Sequence, residues 1–205
     1  IEEDKGMNKL RWDASTYGGG FMFGPSENDS IAINLFKSYH FFFGSRFKLQ
    51  PVPFFAVLFD QHFNWEAMSL SQDQPKVFPD TISYRSQNLF QFAYDMSLSM
   101  RFNFNVSRGN HLGFYLDLGG YGGVGLFRWT TTKDRFDVNG EERRVKLTER
   151  RLGYMNRWRF GAEARLGFGR VMLYGRYRLN NTFKNSYAED YPEPARITAG
   201  IQFDI

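Results

Sequence analysis

Apolar and polar residues alternate strictly between Phe90 and Val106, and this alternation is the clearest structural signal in the chain. Every even position in this stretch is apolar, whereas the odd positions carry polar or small residues. A period of two residues predicts a β-strand with one apolar face and one polar face. At about 3.3 Å per residue the strand would reach roughly 56 Å, or roughly 43 Å of height if tilted by about 40°. It would therefore exceed the apolar band of about 25 Å on an outer-membrane β-barrel.

Seven further segments show the same alternation, so that eight strands are predicted in all. Gly18–Gly20 blurs the alternation in the first segment, and Pro51 and Pro53 make the start of the third irregular. The predicted strands are Leu10–Phe23, Ile31–Phe43, Phe47–Trp65, Phe90–Val106, His111–Thr131, Tyr154–Phe168, Val171–Asn181 and Arg196–Ile205.

The predicted connections alternate in length along the chain. Tight turns are predicted at Gly44–Arg46, Ser107–Asn110 and Gly169–Arg170. The longer connections are Gly24–Ser30, Ala67–Asn88, Lys133–Gly153 and Thr182–Ala195. Short turns at one end and long loops at the other are the layout of outer-membrane barrels. We therefore expect an all-β fold, an eight-stranded antiparallel up-and-down transmembrane β-barrel. Residues 1–205 would form a single domain with a short N-terminal lead at residues 1–9.

The composition favours a membrane-spanning β-structure over a soluble one. Aromatic residues make up 19% of the chain, with 23 Phe, 11 Tyr and 4 Trp, as a lipid-facing wall with aromatic girdles requires. No run approaches the roughly 20 apolar residues of a membrane helix, so a spanning chain would have to be a closed barrel. The absence of cysteine excludes disulfides and thiolate metal sites. The alternative is a soluble lipocalin-type barrel, whose apolar face would point inward.

Charged residues on the polar faces predict what fills the barrel interior. Arginines outnumber carboxylates there, and the planar guanidinium suits pairing with carboxylates in a crowded space. Eight strands enclose a space that side chains just fill, so we expect a plugged interior crossed by arginine–carboxylate networks. The alternative is a narrow anion path lined by the excess of arginines. The predicted network comprises Arg11, Asp13, Asp95, Arg101, Asp117, Arg157, Arg159, Glu163, Arg165, Arg176, Arg178 and Asp204.

Candidate catalytic residues are few. The chain has 3 histidines, and of these His40 and His62 lie on neighbouring predicted strands near Asp60. A Ser–His–acid group there would suit a lipid A-modifying enzyme, but Gly-x-Ser-x-Gly, His-Glu-x-x-His and P-loop motifs are all missing. We therefore expect a protein that is not an enzyme, with no catalytic residue, no cofactor and no metal site.

Two sets of surface residues are candidates for binding. Large aromatics on the apolar face could form a wall that packs against another barrel: Phe41, Phe92, Tyr94, Phe114 and Phe160. The Lys133–Gly153 loop is predicted to be a hairpin extension with Asn139-Gly140 at its tip. Its basic residues are candidates for contact with lipopolysaccharide phosphates. These are Arg143, Arg144, Lys146, Arg150 and Arg151.

Four segments in the C-terminal two-thirds carry a resemblance to a known family. They are Tyr115–Gly123, Phe160–Ala164, Tyr174–Leu179 and Ala199–Phe203. Together they resemble the small eight-stranded outer-membrane β-barrels of Bacteroidota, the PorT-like group. The resemblance implies a bacterial outer-membrane location. In that group PorT itself is linked to type IX secretion, whereas many relatives have no assigned role.

We expect the chain to be a structural or accessory subunit of a larger outer-membrane complex for secretion, barrel assembly or nutrient uptake. Its partners would be outer-membrane lipids, lipopolysaccharide and other outer-membrane proteins, and not nucleic acid. The chain ends would be periplasmic and the long loops extracellular. The alternatives are a stand-alone surface barrel that binds a ligand or lipopolysaccharide through its long loops, and a lipid A-modifying enzyme.

Overall fold

The computed structural model describes residues 11–20, 33–34, 37–72, 82–104, 113–138, 141–187, 191 and 193–204, and β-strands dominate them. The strands are β1 (Arg11–Gly20), β2 (Tyr39–Val52), β3 (Phe55–Leu70), β4 (Ser86–Asn103), β5 (Phe114–Val138), β6 (Glu141–Arg150), β7 (Trp158–Phe168), β8 (Val171–Arg178) and β9 (Ile197–Asp204). A 3-10 turn at Asn185–Tyr187 follows β8. Within these ranges, no helical segment is long and apolar enough to cross a lipid bilayer.

Eight of the strands form a closed antiparallel ring. The order around the ring is β1-β2-β3-β4-β5-β7-β8-β9, and β9 pairs back onto β1 from Tyr17 opposite Asp204 to Gly20 opposite Ile201. β6 lies outside the ring and pairs with the outer part of β5. The predicted all-β antiparallel fold is confirmed at this level, because the ring contains eight strands and every pairing in it is antiparallel.

Short and long connections lie at opposite ends of the ring, as the sequence predicts. Pro53-Phe54 joins β2 to β3, and Gly169-Arg170 joins β7 to β8. The connections after β1, β3, β6 and β8 lie at the other end and are longer. The predicted Ser107–Asn110 turn between β4 and β5 lies outside the described residues.

The predicted turn at Gly44–Arg46 is wrong, because β2 runs straight through it. Gly44 pairs with His62, and Arg46 pairs with Asp60. A Cβ added at Gly44 would lie 2.0 Å from the Gln61 carbonyl oxygen, so this glycine permits a close approach of two strands and no turn. The actual turn is Pro53-Phe54, which follows Pro51 near the end of β2, and neither proline has an N–H group to contribute to the ladder. The second predicted strand, Ile31–Phe43, therefore ends too early, and the third, Phe47–Trp65, runs through the actual turn.

The predicted hairpin extension is present and projects from the ring. β5 and β6 pair from Trp129 opposite Arg150 to Val138 opposite Glu141. We call these two paired segments, Trp129–Val138 and Glu141–Arg150, the β5–β6 arm. The pairing of β4 with β5 stops at Ser86 opposite Lys133, so no other described strand lies beside the outer part of the arm. The predicted tip, Asn139-Gly140, lies outside the described residues.

The two faces of the ring differ in chemistry, and the apolar face points outward. On β7, Phe160 and Phe168 are exposed while Arg165 is buried. On β4, Leu98 is 61% exposed while the adjacent Ser97 is 3% exposed. This arrangement is the reverse of a lipocalin-type barrel, whose apolar face lines the interior. The structure therefore contradicts the inward apolar face on which the soluble alternative depends.

A hydrophobic cluster covers the interior at the long-loop end of the ring. We call it the loop-end cap; its buried members are Met68, Leu70, Leu89, Leu152, Met155, Phe183 and Ala195. Leu70 and Leu89 come from β3 and β4, whereas Met155 and Phe183 come from connections on the far side and form a β-bridge with each other. Tyr154 packs against the cap, and burial raises the pKa of its hydroxyl. The cap therefore links opposite sides of the ring at this end.

Candidate functional site

Arg46 is the centre of the interior charge network near the short-turn end. Its Nε and Nη2 atoms donate to the two Asp60 carboxylate oxygens at 2.8 and 3.0 Å, and its Nη1 atom donates to Asp204 at 2.9 Å. Arg165 approaches the same Asp60 carboxylate at 2.6 Å. The Arg46 and Asp60 side chains are at most 2% exposed. The Asp60 carboxylate therefore pairs with arginines from two strands, β2 and β7, whose remaining charge is met by Asp204 and Glu163.

Glu163 connects this part of the network to the middle of the ring. It accepts hydrogen bonds from Arg165, from the Ser99 hydroxyl at 2.9 Å and from Arg176 Nε at 3.2 Å. A separate fork joins Arg101 to Asp117 at 2.7 and 2.9 Å. The Arg101 guanidinium also stacks over the Tyr115 ring, 3.7 Å from its centroid. These contacts tie strands β4, β5, β7 and β8 together across the interior.

Asp95 and Glu66 hold the network together toward the long-loop end. Arg159 donates to Glu66 at 2.6 Å and lies 3.3 Å from Asp95. Asn64 Nδ2 donates to the second Asp95 oxygen at 2.9 Å, and His62 Nε2 lies 3.6 Å from the same oxygen. All of these side chains are buried or nearly so. Among the described residues, each of these buried charges therefore has an opposite charge within 4 Å, although Asp95 Oδ1 and Arg159 Nε form no hydrogen bond of good geometry.

The two described histidines belong to a buried aromatic layer. The His62 Nδ1 atom and the Tyr17 hydroxyl are 2.8 Å apart, and Arg176 Nη1 lies 3.0 Å from His62 Nε2. His40 Nδ1 and the Tyr174 hydroxyl are 2.9 Å apart. Both rings are 1% exposed, and their hydrogen-bond partners are tyrosine and arginine rather than serine. This geometry does not assemble the Ser–His–acid group considered for a lipid A-modifying enzyme; His111 lies outside the described residues.

The structure brings most of the predicted network residues together. The members in contact across the interior are Asp95, Arg101, Asp117, Arg159, Glu163, Arg165, Arg176 and Asp204. Arg178 pairs with Glu193 at 2.7 Å near the loop end, and Arg157 is exposed in the connection before β7, outside the network. The side chains of Arg11 and Asp13 lie outside the described part of the structure.

Sequence reasoning missed several interior residues, and with them the charge balance. The sequence predicts a turn at Arg46, and the predicted network does not include Asp60 or Glu66. The described interior holds no more arginines than carboxylates, even without Glu193, the partner of Arg178. The arginines are Arg46, Arg101, Arg159, Arg165, Arg176 and Arg178, and the carboxylates are Asp60, Glu66, Asp95, Asp117, Glu163 and Asp204. The arginine excess needed for an anion path is therefore absent from the described interior.

The five aromatics of the predicted wall lie on the outer face of the ring but do not form one continuous surface, because β2 with Phe41 lies on the opposite side of the ring from β7 with Phe160. Phe41, Phe114 and Phe160 are exposed. Phe92 and Tyr94 are half-buried by their neighbours, since both pack against Phe63 with ring centroids 5.7 and 5.3 Å apart. All five point away from the interior, so they are accessible to lipid or to another protein.

An open groove of about 1210 Å3 lies on the outer face where the β5–β6 arm leaves the ring. We call it the arm groove. The strand paired with β5 changes there from β7 to β6. The Gly125 N–H donates to the Arg157 carbonyl just before β7, and the Arg151 N–H, just after β6, donates to the Arg128 carbonyl. A bulge between Phe92 and Ala93 of β4 and their partners on β5 accompanies this change. Because β6 and β7 diverge from each other at this point, the groove stays open.

The arm groove has an aromatic floor and a basic border. The floor is formed by Trp65, Phe92, Phe127 and Trp129, and the Trp65 and Trp129 rings are 5.4 Å apart. The border carries Arg128, Lys146, Arg150, Arg151, Arg157 and Lys184. Of the predicted lipopolysaccharide contacts, Lys146, Arg150 and Arg151 thus line the groove, whereas Arg143 and Arg144 lie further out on the arm. The described residues include no group of His, Cys, Asp or Glu suited to a metal ion.

Comparison with known proteins does not assign a family. No protein-family model matches the chain, and no curated protein matches it. The resemblance of its C-terminal two-thirds to the PorT-like barrels therefore stays a prediction.

Proposed function

We propose that this chain is a closed transmembrane β-barrel of the bacterial outer membrane. The observation that carries the proposal is the sidedness of the ring, with large apolar side chains outward and paired charges inward. A closed ring also satisfies the backbone hydrogen bonds of its strands without water, as lipid requires. The chain ends and short turns would face the periplasm, and the long connections and the β5–β6 arm would face the outside.

The barrel would not conduct solutes, because its interior is filled. The network from Arg46 to Glu66 occupies the middle of the ring, and the loop-end cap covers one mouth. Water or an ion crossing this space would have to displace several charge-assisted hydrogen bonds at once. The function would therefore depend on the outer wall and the extracellular connections.

The role supported best is that of a non-enzymatic structural or accessory subunit of a larger outer-membrane complex. Phe41 and Phe160 are 54% and 52% exposed, and Phe114 is 43% exposed, on a wall that needs apolar but not specifically aromatic residues to meet lipid. Aromatic side chains dominate protein interfaces, since each buries a large area. The resemblance to PorT-like barrels, if correct, would place the complex in a secretion pathway.

Affinity purification from the native outer membrane in mild detergent tests this role. The triple variant Phe41→Leu/Phe114→Leu/Phe160→Leu keeps the wall apolar, so it should insert normally but lose a stoichiometric partner. The matched control Leu118→Ala/Leu166→Ala/Leu173→Ala changes exposed aliphatic positions on the same wall and should retain the partner. Retention of the partner by the aromatic triple, or purification of the unaltered protein as a lone barrel, would contradict the accessory role.

A second candidate is a stand-alone surface barrel that binds lipopolysaccharide or another ligand through its long loops. The observation that favours it is the basic border of the arm groove. Replacing residues 134–149 with a short turn should abolish binding while the barrel still inserts. The replacement stops before Leu152, which is buried in the loop-end cap and is needed for closure.

A further inference from the structure

We propose that the arm groove binds the phosphate-bearing head group of an outer-leaflet lipid, with an acyl chain lying on its aromatic floor. The inference rests on the proposed membrane location of the ring. The sequence positions of the basic residues on the arm do not by themselves define where such a ligand would bind.

The antiparallel register places basic and aromatic residues on the same outward face. Arg150 lies opposite Trp129, and Lys146 lies opposite Lys133, with the pair Thr148 and Thr131 between them. Residues directly opposite each other on paired strands project to the same side of the sheet. Basic side chains therefore lie beside the aromatic residues at the ring end of the arm, and Lys133 and Lys146 continue the basic face further out.

The charges around the groove are unbalanced. Its border has six cations and its described lining includes no carboxylate. None of these cations forms an ion pair with a described carboxylate, although Arg135 and Arg143 elsewhere on the arm pair with Glu142 and Glu141. Arg128 uses its guanidinium to donate to the Met155 carbonyl, which holds it beside Arg157 and not beside an acid. Clustered cations without a counter-charge repel one another, so an anionic ligand would stabilise this arrangement.

Arg151 adds an independent observation at the same place. Its φ is +60°, the left-handed conformation that glycine adopts freely and that other residues adopt seldom. Within the described residues it is the one non-glycine with positive φ, and it follows directly after the last residue of β6. The chain thus has a charged side chain where glycine would fit the backbone best. This directs an arginine into the groove at the level of Arg150.

The aromatic floor distinguishes a lipid from free phosphate. Phe90 and Trp129 are stacked with centroids 5.2 Å apart, and Phe92 contacts Phe127 at 6.2 Å, so the floor continues into the outer apolar wall. Trp side chains at this height are typical of membrane interfaces. Phosphate alone would use the cations and leave the floor exposed. A lipid uses both, because it joins an anionic head group to an apolar chain.

Binding of diphosphoryl lipid A to the purified, full-length protein in detergent micelles tests the proposal. The groove triple Lys146→Gln/Arg150→Gln/Arg151→Gly removes three border charges and relieves the backbone at position 151. Each basic side chain near an anionic lipid contributes roughly fivefold in affinity, so lipid A binding should fall by at least about tenfold. The control triple Lys37→Gln/Arg85→Gln/Arg170→Gln removes the same charge from exposed positions outside the groove and should leave the affinity within about twofold.

Two further comparisons identify the ligand class. Trp129→Ala should weaken lipid A binding but leave the weak competition by inorganic phosphate unchanged. Equal losses in both triples, competition by phosphate as strong as by lipid A, or a groove that captures a protein and no lipid would each overturn the proposal. Insertion is followed separately by the mobility shift of folded barrels on unheated gels. An inserted barrel without lipid binding would refute this inference alone, whereas failure to insert would refute the proposed function.

Discussion

Removing one partner of the Arg101–Asp117 pair should destabilise the protein far more than removing both. Arg101 donates to both Asp117 oxygens at 2.7 and 2.9 Å, and the two side chains are only 2% and 1% exposed. A single substitution leaves an uncompensated charge in the interior, which costs about 3–5 kcal/mol. We expect a loss of this size in the free energy of unfolding for Arg101→Met and for Asp117→Leu.

The double variant Arg101→Met/Asp117→Leu removes both charges together. Replacing a buried ion pair by apolar residues is often neutral or stabilising. Two local contacts oppose this gain: Arg101 stacks on the Tyr115 ring at 3.7 Å, and Asp117 lies 3.9 Å from Arg165. Losing the stacking costs about 0.5–2 kcal/mol. The double variant should therefore be more stable than either single variant, with a coupling energy of at least about 3 kcal/mol.

Urea unfolding in lipid vesicles, followed by tryptophan fluorescence, gives the free energy of unfolding for all four proteins. The control cycle uses Arg135→Met and Glu142→Leu, whose ion pair on the arm is 2.6 Å long but partly exposed. That cycle should give a coupling energy of less than about 1 kcal/mol. Additive losses at Arg101 and Asp117, or single losses below about 1 kcal/mol, would refute the view that paired buried charges hold the interior.

Three further predictions follow from named contacts. Gly167→Ala should lower the free energy of unfolding by about 1–3 kcal/mol in the same assay, because its Cβ would overlap the Tyr115 ring. Adding Tyr115→Leu should restore most of this loss. The control Gly175→Ala has open space around its Cβ, and an equal effect there would contradict the prediction. Arg151→Gly alone should raise the free energy of unfolding by about 1–2 kcal/mol, and a decrease would show that the left-handed conformation is not strained. In planar bilayers the unaltered protein should show no stable single-channel conductance, and regular channel steps would argue against a filled interior.

The strands and the chemistry of their faces could be predicted from the sequence because alternation is a local signal. Phe90–Val106 predicts most of β4, and Val171–Asn181 predicts most of β8, since each strand shows its own period of two. Alternation within one strand does not say which face is inside. The ring as a whole determines which face is inside, because the charged faces of several strands meet and pair there.

The errors have non-local causes. Gly44–Arg46 has the composition of a turn, but its glycine is explained by the close approach of the Gln61 carbonyl on the next strand. Because of this error, the predicted network lacks Arg46, which is its centre in the structure. The loop-end cap and the arm groove also combine residues far apart in sequence, such as Leu70 with Phe183 and Trp65 with Lys184. Their assembly depends on ring closure, which no single segment encodes.

Site-directed fluorescence along β4 tests the central claim of an apolar wall in contact with lipid. The chain has no cysteine, so Leu98→Cys and Met96→Cys provide unique outward labelling sites beside the inward Ser97→Cys. An environment-sensitive fluorophore at 96 or 98 should be quenched by nitroxide-labelled lipids in reconstituted vesicles and protected from aqueous iodide. The cysteine at 97 should resist labelling in the folded protein. Iodide quenching at 96 and 98 without quenching by the labelled lipids would contradict the account, since the apolar wall would then face water.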